Sequence, residues 1–425
     1  MNKHKNLISR RVAIKLVAAS VGITALYSYF RGVRFPTLSW EPAVTPNAFV
    51  IESTNINVEN LINTPLMKNV ANNHYNARFR AFAPEPAIKL VATRKQQLKL
   101  IINNIAGDAN LNIKHGRQSS VKENISGINR YLDISLQPNE ELHIKWLLPN
   151  LSNYSFAAIG DTGGAKELDW CIQRANALNA RFLLHLGDFN YQKSDYESSI
   201  KLFNQSPIPC YVTIGNHDFK DSGLVYQPFL NEIGPLNNSF SIGQTRFANI
   251  DTAASFFPYS GGQRGRLIEE LINSDQTYSD TVVFTHRPLH DPRPKEELGP
   301  NGAHDIGNNG ERDWLYESFK KCNVNTILCG HIHIFDHSKY KEIDNIIAGQ
   351  GLGHQDLLVN KDVSKMVVGQ VSQNGKVHYE FAPLTMPLGS HCHPHVRKVK
   401  DSLTNPAHIK TATKIDELCG QENDA

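Results

Sequence analysis

Two rhythms of apolar and polar residues divide this chain. From about residue 35 to residue 153 the pattern is short and alternating, with apolar runs at 48–51, 77–82, 88–92, 98–102 and 142–146 separated by clusters of Pro, Asn and Gly. A period of two suits strands that bury one face. An antiparallel, β-sandwich-like domain of about 110 residues is therefore expected. It carries no concentrated polar constellation, which gives it a structural or accessory role. From Phe156 the rhythm changes. Continuous apolar runs at 156–159, 182–186 and 211–214 alternate with helical patterns near 165–180 and 196–205. That is a βαβαβ order, which favours parallel pairing of strands buried on both faces. Further apolar runs follow at 247–250, 282–285, 326–329, 346–348, 366–368 and 377–381, with helices expected at 262–272 and 312–320. The chain thus reads as α/β from residue 154 to 383, behind a β-rich segment at 35–153. A leader at 1–34 precedes both, and a tail at 384–425 follows, with one further helix expected near 415–419.

The ends of the apolar runs carry the chemistry. Five of them run into Gly160-Asp161-Thr162-Gly163, Gly187-Asp188-Phe189-Asn190-Tyr191, Gly215-Asn216-His217-Asp218, Phe284-Thr285-His286 and Gly330-His331-Ile332-His333. In parallel α/β sheets ligands sit beyond the carboxyl ends of strands, and all five motifs occupy that place. Each motif alone is commonplace: a lone His at a strand end is more often a packed core residue than a ligand. Jointly they can hold two metal ions, and adjacent metals suit phosphoester hydrolysis. Two cations need a bridging anion, and Asp188 holds the central position. Asp161, Asn216 and Tyr191 offer oxygen, and imidazoles suit iron, zinc and similar ions. If 331–333 is extended, His331 and His333 point to one side. A bridging hydroxide would be the nucleophile, because metals lower the pKa of bound water. His217 either contacts the phosphate or leaving oxygen, or orients a metal ligand. Its expected partner is Asp188, Asp218 or a backbone carbonyl.

Composition narrows the partners. The 425 residues carry a formal charge of +3, with 40% hydrophobic and 20% charged residues. No Lys/Arg stripe with interleaved aromatics argues for nucleic acid. None of the six cysteines forms a CxxC pair. Buried free thiols are expected at Cys210 and Cys329, and a Cys392–Cys419 disulfide is open only to an exported protein. His391-Cys392-His393-Pro394-His395 reads as a solvent-exposed His-rich loop, with metal binding the sharper alternative. The N-terminus reads as an address. Lys3, Lys5, Arg10 and Arg11 precede an apolar stretch at 16–30 that is short for a bilayer span. Ser9-Arg10-Arg11-Val12-Ala13-Ile14-Lys15 resembles the twin-arginine export signal, with Ala13 in place of the usual Phe. No good cleavage site follows, so the segment is either a signal or a membrane anchor. The expected location is periplasmic or on the outer cell face.

The motifs resemble those of the calcineurin-like metallophosphoesterases from about residue 156 to 382, and within that superfamily the purple acid phosphatases. Most members have Asp-x-His in the first motif; Gly163 stands here instead, and Tyr191 follows Asp188 by three residues. Those departures travel together in purple acid phosphatases, where the Tyr ligates the ferric ion. The resemblance implies a ferric site at Asp161, Asp188, Tyr191 and His333, and a divalent site (Fe, Zn or Mn) at Asp188, Asn216, His286 and His331. His217 would assist at the phosphate. The bland alternative for Tyr191 is aromatic packing beside two ordinary divalent ions. A further histidine is used downstream in the family. His290 and His304 are the candidates here, neither at a matching spacing, with His290 taken as catalytic. The implied fold is a four-layer αββα sandwich. The implied activity is hydrolysis of phosphomonoesters on a small phosphorylated substrate. Phosphodiester or nucleotide hydrolysis at the same metals is the enzymatic alternative, and a non-catalytic binding protein the other. Substrate choice would lie in loops 219–240, 256–266 and 288–311. Arg264, Arg266, Arg287 and Arg293 could meet phosphate or polar groups, with surface solvation the bland reading of each.

Overall fold

The computed structural model describes residues 48–51, 56–62, 66–67, 75–115, 119–149, 152–219, 226–254, 262–295, 298, 303–352 and 364–384. The leader with its paired arginines, the His391–His395 cluster, Cys392, Cys419 and the expected helix near 415–419 lie outside the described residues.

Strands Tyr154–Ile159, Thr245–Ile250 and Asp280–Thr285 are buried at every position. Uniform burial requires cover on both faces, and the fold provides it. One sheet runs in the order Cys210–Val212, Leu183–His185, Tyr154–Ile159, Lys365–Val371, Val377–Pro383, its first three strands parallel. The second runs Asn238–Ile242, Thr245–Ile250, Asp280–Thr285, Thr326–Cys329, Ile343–Ala348, Phe335–Tyr340, its four middle strands parallel and its outer strands antiparallel. Between the sheets Phe156, Phe182, Phe240 and Phe247 interlock, with Phe156 edge-on to Phe247 at 5.2 Å and Phe182 edge-on to Phe247 at 5.5 Å. Such contacts add about 0.5–1.5 kcal/mol each beyond area burial. Helices cover the outer faces. Lys166–Ala177 and Asp195–Gln205 pack with the first sheet through Leu168, Ile172 and Phe203. Gln263–Ile272 and Asn309–Lys321 pack with the second through Ile268, Leu315 and Phe319. The result is the αββα sandwich.

The N-terminal region forms two five-stranded sheets. Its strands alternate buried and half-buried residues, as in Asn129–Leu136. One pairing departs from the antiparallel expectation: Ala77–Arg80 lies parallel to Gln96–Asn103, with Ala77 opposite Leu100. The intervening strand Ala87–Ala92 belongs to the other sheet, so the chain crosses between sheets and returns in the same direction. This region grips the edge of the α/β sheet. The buried Arg80 donates from Nη1 to Ile233 O (2.9 Å) and from Nη2 to Cys210 O (2.8 Å). The Cys210 N–H donates to Asn104 Oδ1 (2.8 Å). An edge strand's open backbone is thereby paired, and that strand leads directly to Asn216. Cys210 and Cys329 are buried free thiols as expected, as are Cys171 and Cys322. Among the described residues no helix is long and apolar enough to cross a membrane.

Candidate metal centre

The five motifs meet because strand register aligns their ends. Ile159 pairs with His185 and His185 with Val212. In the second sheet Phe284 pairs with Leu328, one residue short of Thr285 and Cys329. Just past these ends the backbone turns sharply. Asp161, Asp188 and His331 take φ of +60°, +59° and +66°. Non-glycine residues held there cost of order 1–3 kcal/mol each, so local hydrogen bonds must hold them. The Asp161 N–H donates to Gly187 O (2.9 Å), the Asp188 N–H to Asp218 Oδ2 (2.8 Å) and the His331 N–H to Asp161 Oδ2 (2.8 Å). Glycines in these motifs are needed for close approach. A Cβ on Gly330 would lie 2.4 Å from Asp161 Oδ2, and one on Gly215 2.2 Å from Asp188 Oδ1.

The side chains fall into two adjacent sets. In the first, Tyr191 Oη lies 3.3 Å from Asp161 Oδ1, 3.4 Å from Asp188 Oδ2 and 3.1 Å from His333 Nε2. His333 Nε2 is also 3.4 Å from Asp161 Oδ1. In the second, His286 Nε2 lies 3.0 Å from Asn216 Oδ1 and 3.3 Å from Asp188 Oδ2. Asp188, His286 and His331 each bring a ligand atom within 4.8 Å of the others. Asp188 Oδ2 belongs to both sets, while Oδ1 accepts the His217 N–H at 2.8 Å. His286 Nδ1 faces Leu186 O at 2.8 Å, which leaves Nε2 to the site.

These residues fit a pair of cations. Tyr191 Oη, Asp161 Oδ1, Asp188 Oδ2 and His333 Nε2 converge as four atoms that a cation among them could bind together. Ligands at about 2.1 Å in octahedral array lie about 3 Å apart, close to the spacings found. Electrostatics agree. Burial raises the Asp161 carboxyl, and burial with the carboxylates of Asp188 and Asp161 pushes the Tyr191 phenol well above its ordinary value. Burial also opposes charge on Asp188, but the imidazoles of His286 and His217 hold it well below the usual carboxylate range. His286 is buried too, yet Asp188 raises it to about 9. The pocket demands positive charge. Asp161, Asp188 and His286 form its buried floor, Tyr191, Asn216, His331 and His333 its half-buried walls, and the exposed His217 its rim.

Several expectations change. Residues 331–333 are not extended. The Ile332 N–H donates to Gly330 O and the Ile334 N–H to Ile332 O, each spanning two residues, so His331 and His333 reach different sets. Asp218 meets backbone rather than serving as a ring partner for His217. Its Oδ2 accepts from Asp188 N (2.8 Å) and Gly215 N (2.7 Å), and its Oδ1 from Phe189 N (2.8 Å), which ties the second motif to the third. His185 does the same for the first two. Its Nε2 is 2.9 Å from Thr162 Oγ1, which itself donates to Gly163 O, and its Nδ1 accepts the Gly187 N–H (3.3 Å). Burial lowers this imidazole to about 3, so it stays neutral. Neither role is visible in sequence: His185 shows only as a polar residue inside an apolar run, and Asp218 only as the last residue of its motif. Arg264 and Arg293 are not solvated: Arg264 is buried against Glu311 and Asp251 O, and Arg293 pairs with Asp291 at 2.8 Å. Arg266 is exposed. Arg287 reaches into the centre, where its Nη1 hydrogen-bonds His331 Nε2. His304 also borders the centre, 5.5 Å from the His331 ring, whereas His290 is exposed and stacked on Tyr340 at 5.4 Å.

Residues 154–335 match the family model of calcineurin-like phosphoesterases. No curated protein sequence matches the chain. Among solved structures it is similar to GAP50, the anchor in the inner membrane complex of Plasmodium, with 16% identity, 55% of this chain and 85% of that chain covered, and a TM-score of 0.42. It is similar to purple acid phosphatase PPD1 from yellow lupin (Lupinus luteus) seeds, with 15% identity, coverage of 71% and 70%, and a TM-score of 0.41. It is also similar to PhoD, with 11% identity, coverage of 88% and 100%, and a TM-score of 0.40.

Proposed function

We propose that this chain, whose residues 154–335 form a calcineurin-like phosphoesterase domain, is a dinuclear metal-dependent hydrolase of phosphomonoesters. The observation that carries the reading is the sharing of Asp188 Oδ2 by two sets of potential ligand atoms. Asp161, Tyr191 and His333 would hold one ion with Asp188, and Asn216, His286 and His331 the other. Bound there, the ions would supply a nucleophile at neutral pH and neutralise charge on the phosphoryl group. The remaining roles fall to side chains around them. His217 stands exposed at the rim, with its ring 4.7 Å from that of Tyr191 and its N–H fixed by Asp188. It is placed to hydrogen-bond an oxygen of the substrate. His304, beside His331, is placed to return a proton to the leaving oxygen.

Tyr191 supports iron(III) in the first set. Burial and two carboxylates oppose ionisation of its phenol, and a trivalent cation is well suited to overcome that opposition. Gly163, at φ +62°, offers no side chain there that could replace it. The second ion would be Fe, Zn or Mn in the divalent state. We further propose export by the twin-arginine route, with the leader either removed or kept as an anchor.

The deciding experiment is a hydrolysis panel of phosphomonoesters and diesters on the metal-loaded chain, with metal analysis of the same sample. Monoester turnover requiring two ions per chain is expected; a loaded chain inactive on both classes refutes the function. Iron-loaded protein should show a visible tyrosinate-to-iron band that Tyr191→Phe abolishes. A colourless, fully loaded and active enzyme would refute the Tyr191 assignment.

A further inference from the structure

We infer that Arg287 is the specificity-determining residue that favours phosphomonoesters over diesters at this centre, a step that rests on the phosphoesterase reading above. Arg287 follows His286 at the end of strand Asp280–Thr285. Its N–H donates to Thr252 Oγ1 (2.7 Å) and its Nε donates to Ala253 O (3.0 Å). Both anchors lie just beyond the neighbouring strand Thr245–Ile250, and Thr252 Oγ1 sits 2.8 Å from Thr285 Oγ1. The tie at Nε sets the guanidinium plane, and Nη1 then reaches His331 Nε2. His331 is one of the three residues grouped with Asp188 and His286. The other two inner arginines end in carboxylates, Arg264 on Glu311 and Arg293 on Asp291. Nη1 of Arg287 ends instead on an imidazole at the reaction centre.

His331 Nε2 has one lone pair. It can accept from Arg287 or hold a metal ion, not both. With that lone pair committed to an ion, Nη1 would turn from the imidazole at the same spot, still tethered through Nε. A guanidinium there recognises an anionic oxygen next to the ion. The esters differ in what they can offer it. A monoester carries three non-bridging oxygens and close to two negative charges; a diester carries two and one. If the ions held there took two of the oxygens, a monoester would retain a third charged oxygen for Arg287. A diester presents an ester oxygen and its substituent in that place, a weak acceptor and a steric load.

The test uses metal-loaded wild type, Arg287→Ala and Arg287→Lys. It measures ions per chain by elemental analysis, binding of inorganic phosphate by calorimetric titration, and kcat/KM on p-nitrophenyl phosphate and bis(p-nitrophenyl) phosphate. For Arg287→Ala the ion content should hold, while phosphate affinity and monoester kcat/KM fall on the order of 10- to 100-fold and diester kcat/KM moves less than about threefold. Arg287→Lys should recover part of the loss, because it keeps the charge without the fork. Equal losses on both esters, unchanged phosphate affinity, or loss of an ion from Arg287→Ala would each overturn the assignment. Wild type that hydrolyses neither ester refutes the phosphoesterase function instead, and the phosphate titration still decides the role of Arg287.

Discussion

Replacing Asp218 with asparagine should loosen the loops that carry Asp188 and Gly215 at once. The carboxylate is buried, and its oxygens accept three backbone N–H groups: two at Oδ2, from Asp188 and Gly215, and one at Oδ1, from Phe189. An amide keeps one oxygen. Its best placement retains the pair of donors and turns the NH2 toward the Phe189 N–H, leaving that donor buried, unpaired and facing another donor. A buried N–H donor left unpaired costs about 1–3 kcal/mol. Relief of repulsion with Asp188 offsets part of this, since that neighbour, after burial, is the main cause pushing Asp218 upward. A net destabilisation of about 2 kcal/mol remains, and the melting temperature of a domain of this size should drop by roughly 4–8 °C. Because Asp188 is held at positive φ partly by this bond, metal affinity should fall by about 10- to 100-fold, as is usual for residues that orient ligands. Calorimetric unfolding and chelator competition read the two effects separately. A variant that melts within about 1 °C of wild type and binds metal with unchanged affinity would refute the clamp.

Other outcomes follow from the same geometry. Burial lowers His185 from its ordinary 6.5 to about 3. The unfolded chain therefore takes up a proton between those values that the folded chain refuses, and stability present above pH 6.5 is lost as pH falls. Near pH 5 the loss is about 2 kcal/mol; denaturation of wild type and His185→Gln at two pH values should show a shallower decline in the variant, and equal declines would refute it. His304→Gln should slow turnover by about 100-fold and His290→Gln by less than about threefold, with the His304 effect growing for poorer leaving groups; the reverse order would restore His290 to the leaving-group role. Changing Arg10 and Arg11 to Lys should retain the protein in the cytoplasm by cell fractionation, and continued export would point to another route.

Much of the fold was legible because burial on both faces leaves a plain trace. The runs at 156–159, 182–186, 211–214, 247–250, 282–285 and 326–329 all fall on observed strands, and the helices near 165–180, 196–205, 262–272 and 312–320 all form. Strand Phe335–Tyr340 was not legible: it is a half-exposed outer strand of polar composition, with no continuous apolar run to mark it. Strands Asn110–His115 and Ser120–Ser126 were missed for a similar reason, since Asn, Lys and Glu interrupt them, and Asn129–Leu136 is broken up by Arg130 and Asp133. The parallel pairing of Ala77–Arg80 with Gln96–Asn103 was hidden because alternation records which face is buried, not strand direction.

The sequence by itself determined which atoms could meet. Gly-Asp, Gly-Asn-His-Asp and Gly-His-Ile-His stand at the ends of strands whose apolar runs commit them to a parallel core, and Gly163 with Tyr191 already separates this pattern from its commoner relatives. Tertiary structure alone decided how those atoms are shared. It showed how His331 and His333 reach the different sets that the resemblance implies, because the turn at φ +66° breaks the extended path that would point both to one side. It made Asp218 and His185 clamps rather than reactive groups, because their partners are backbone N–H groups and a hydroxyl from other loops. It aimed Arg287 into the centre while pairing Arg264 and Arg293 elsewhere. Burial pattern is a local property of the chain and can be read along it; the partner of a buried polar group comes from a distant segment and exists only once the sheets have closed.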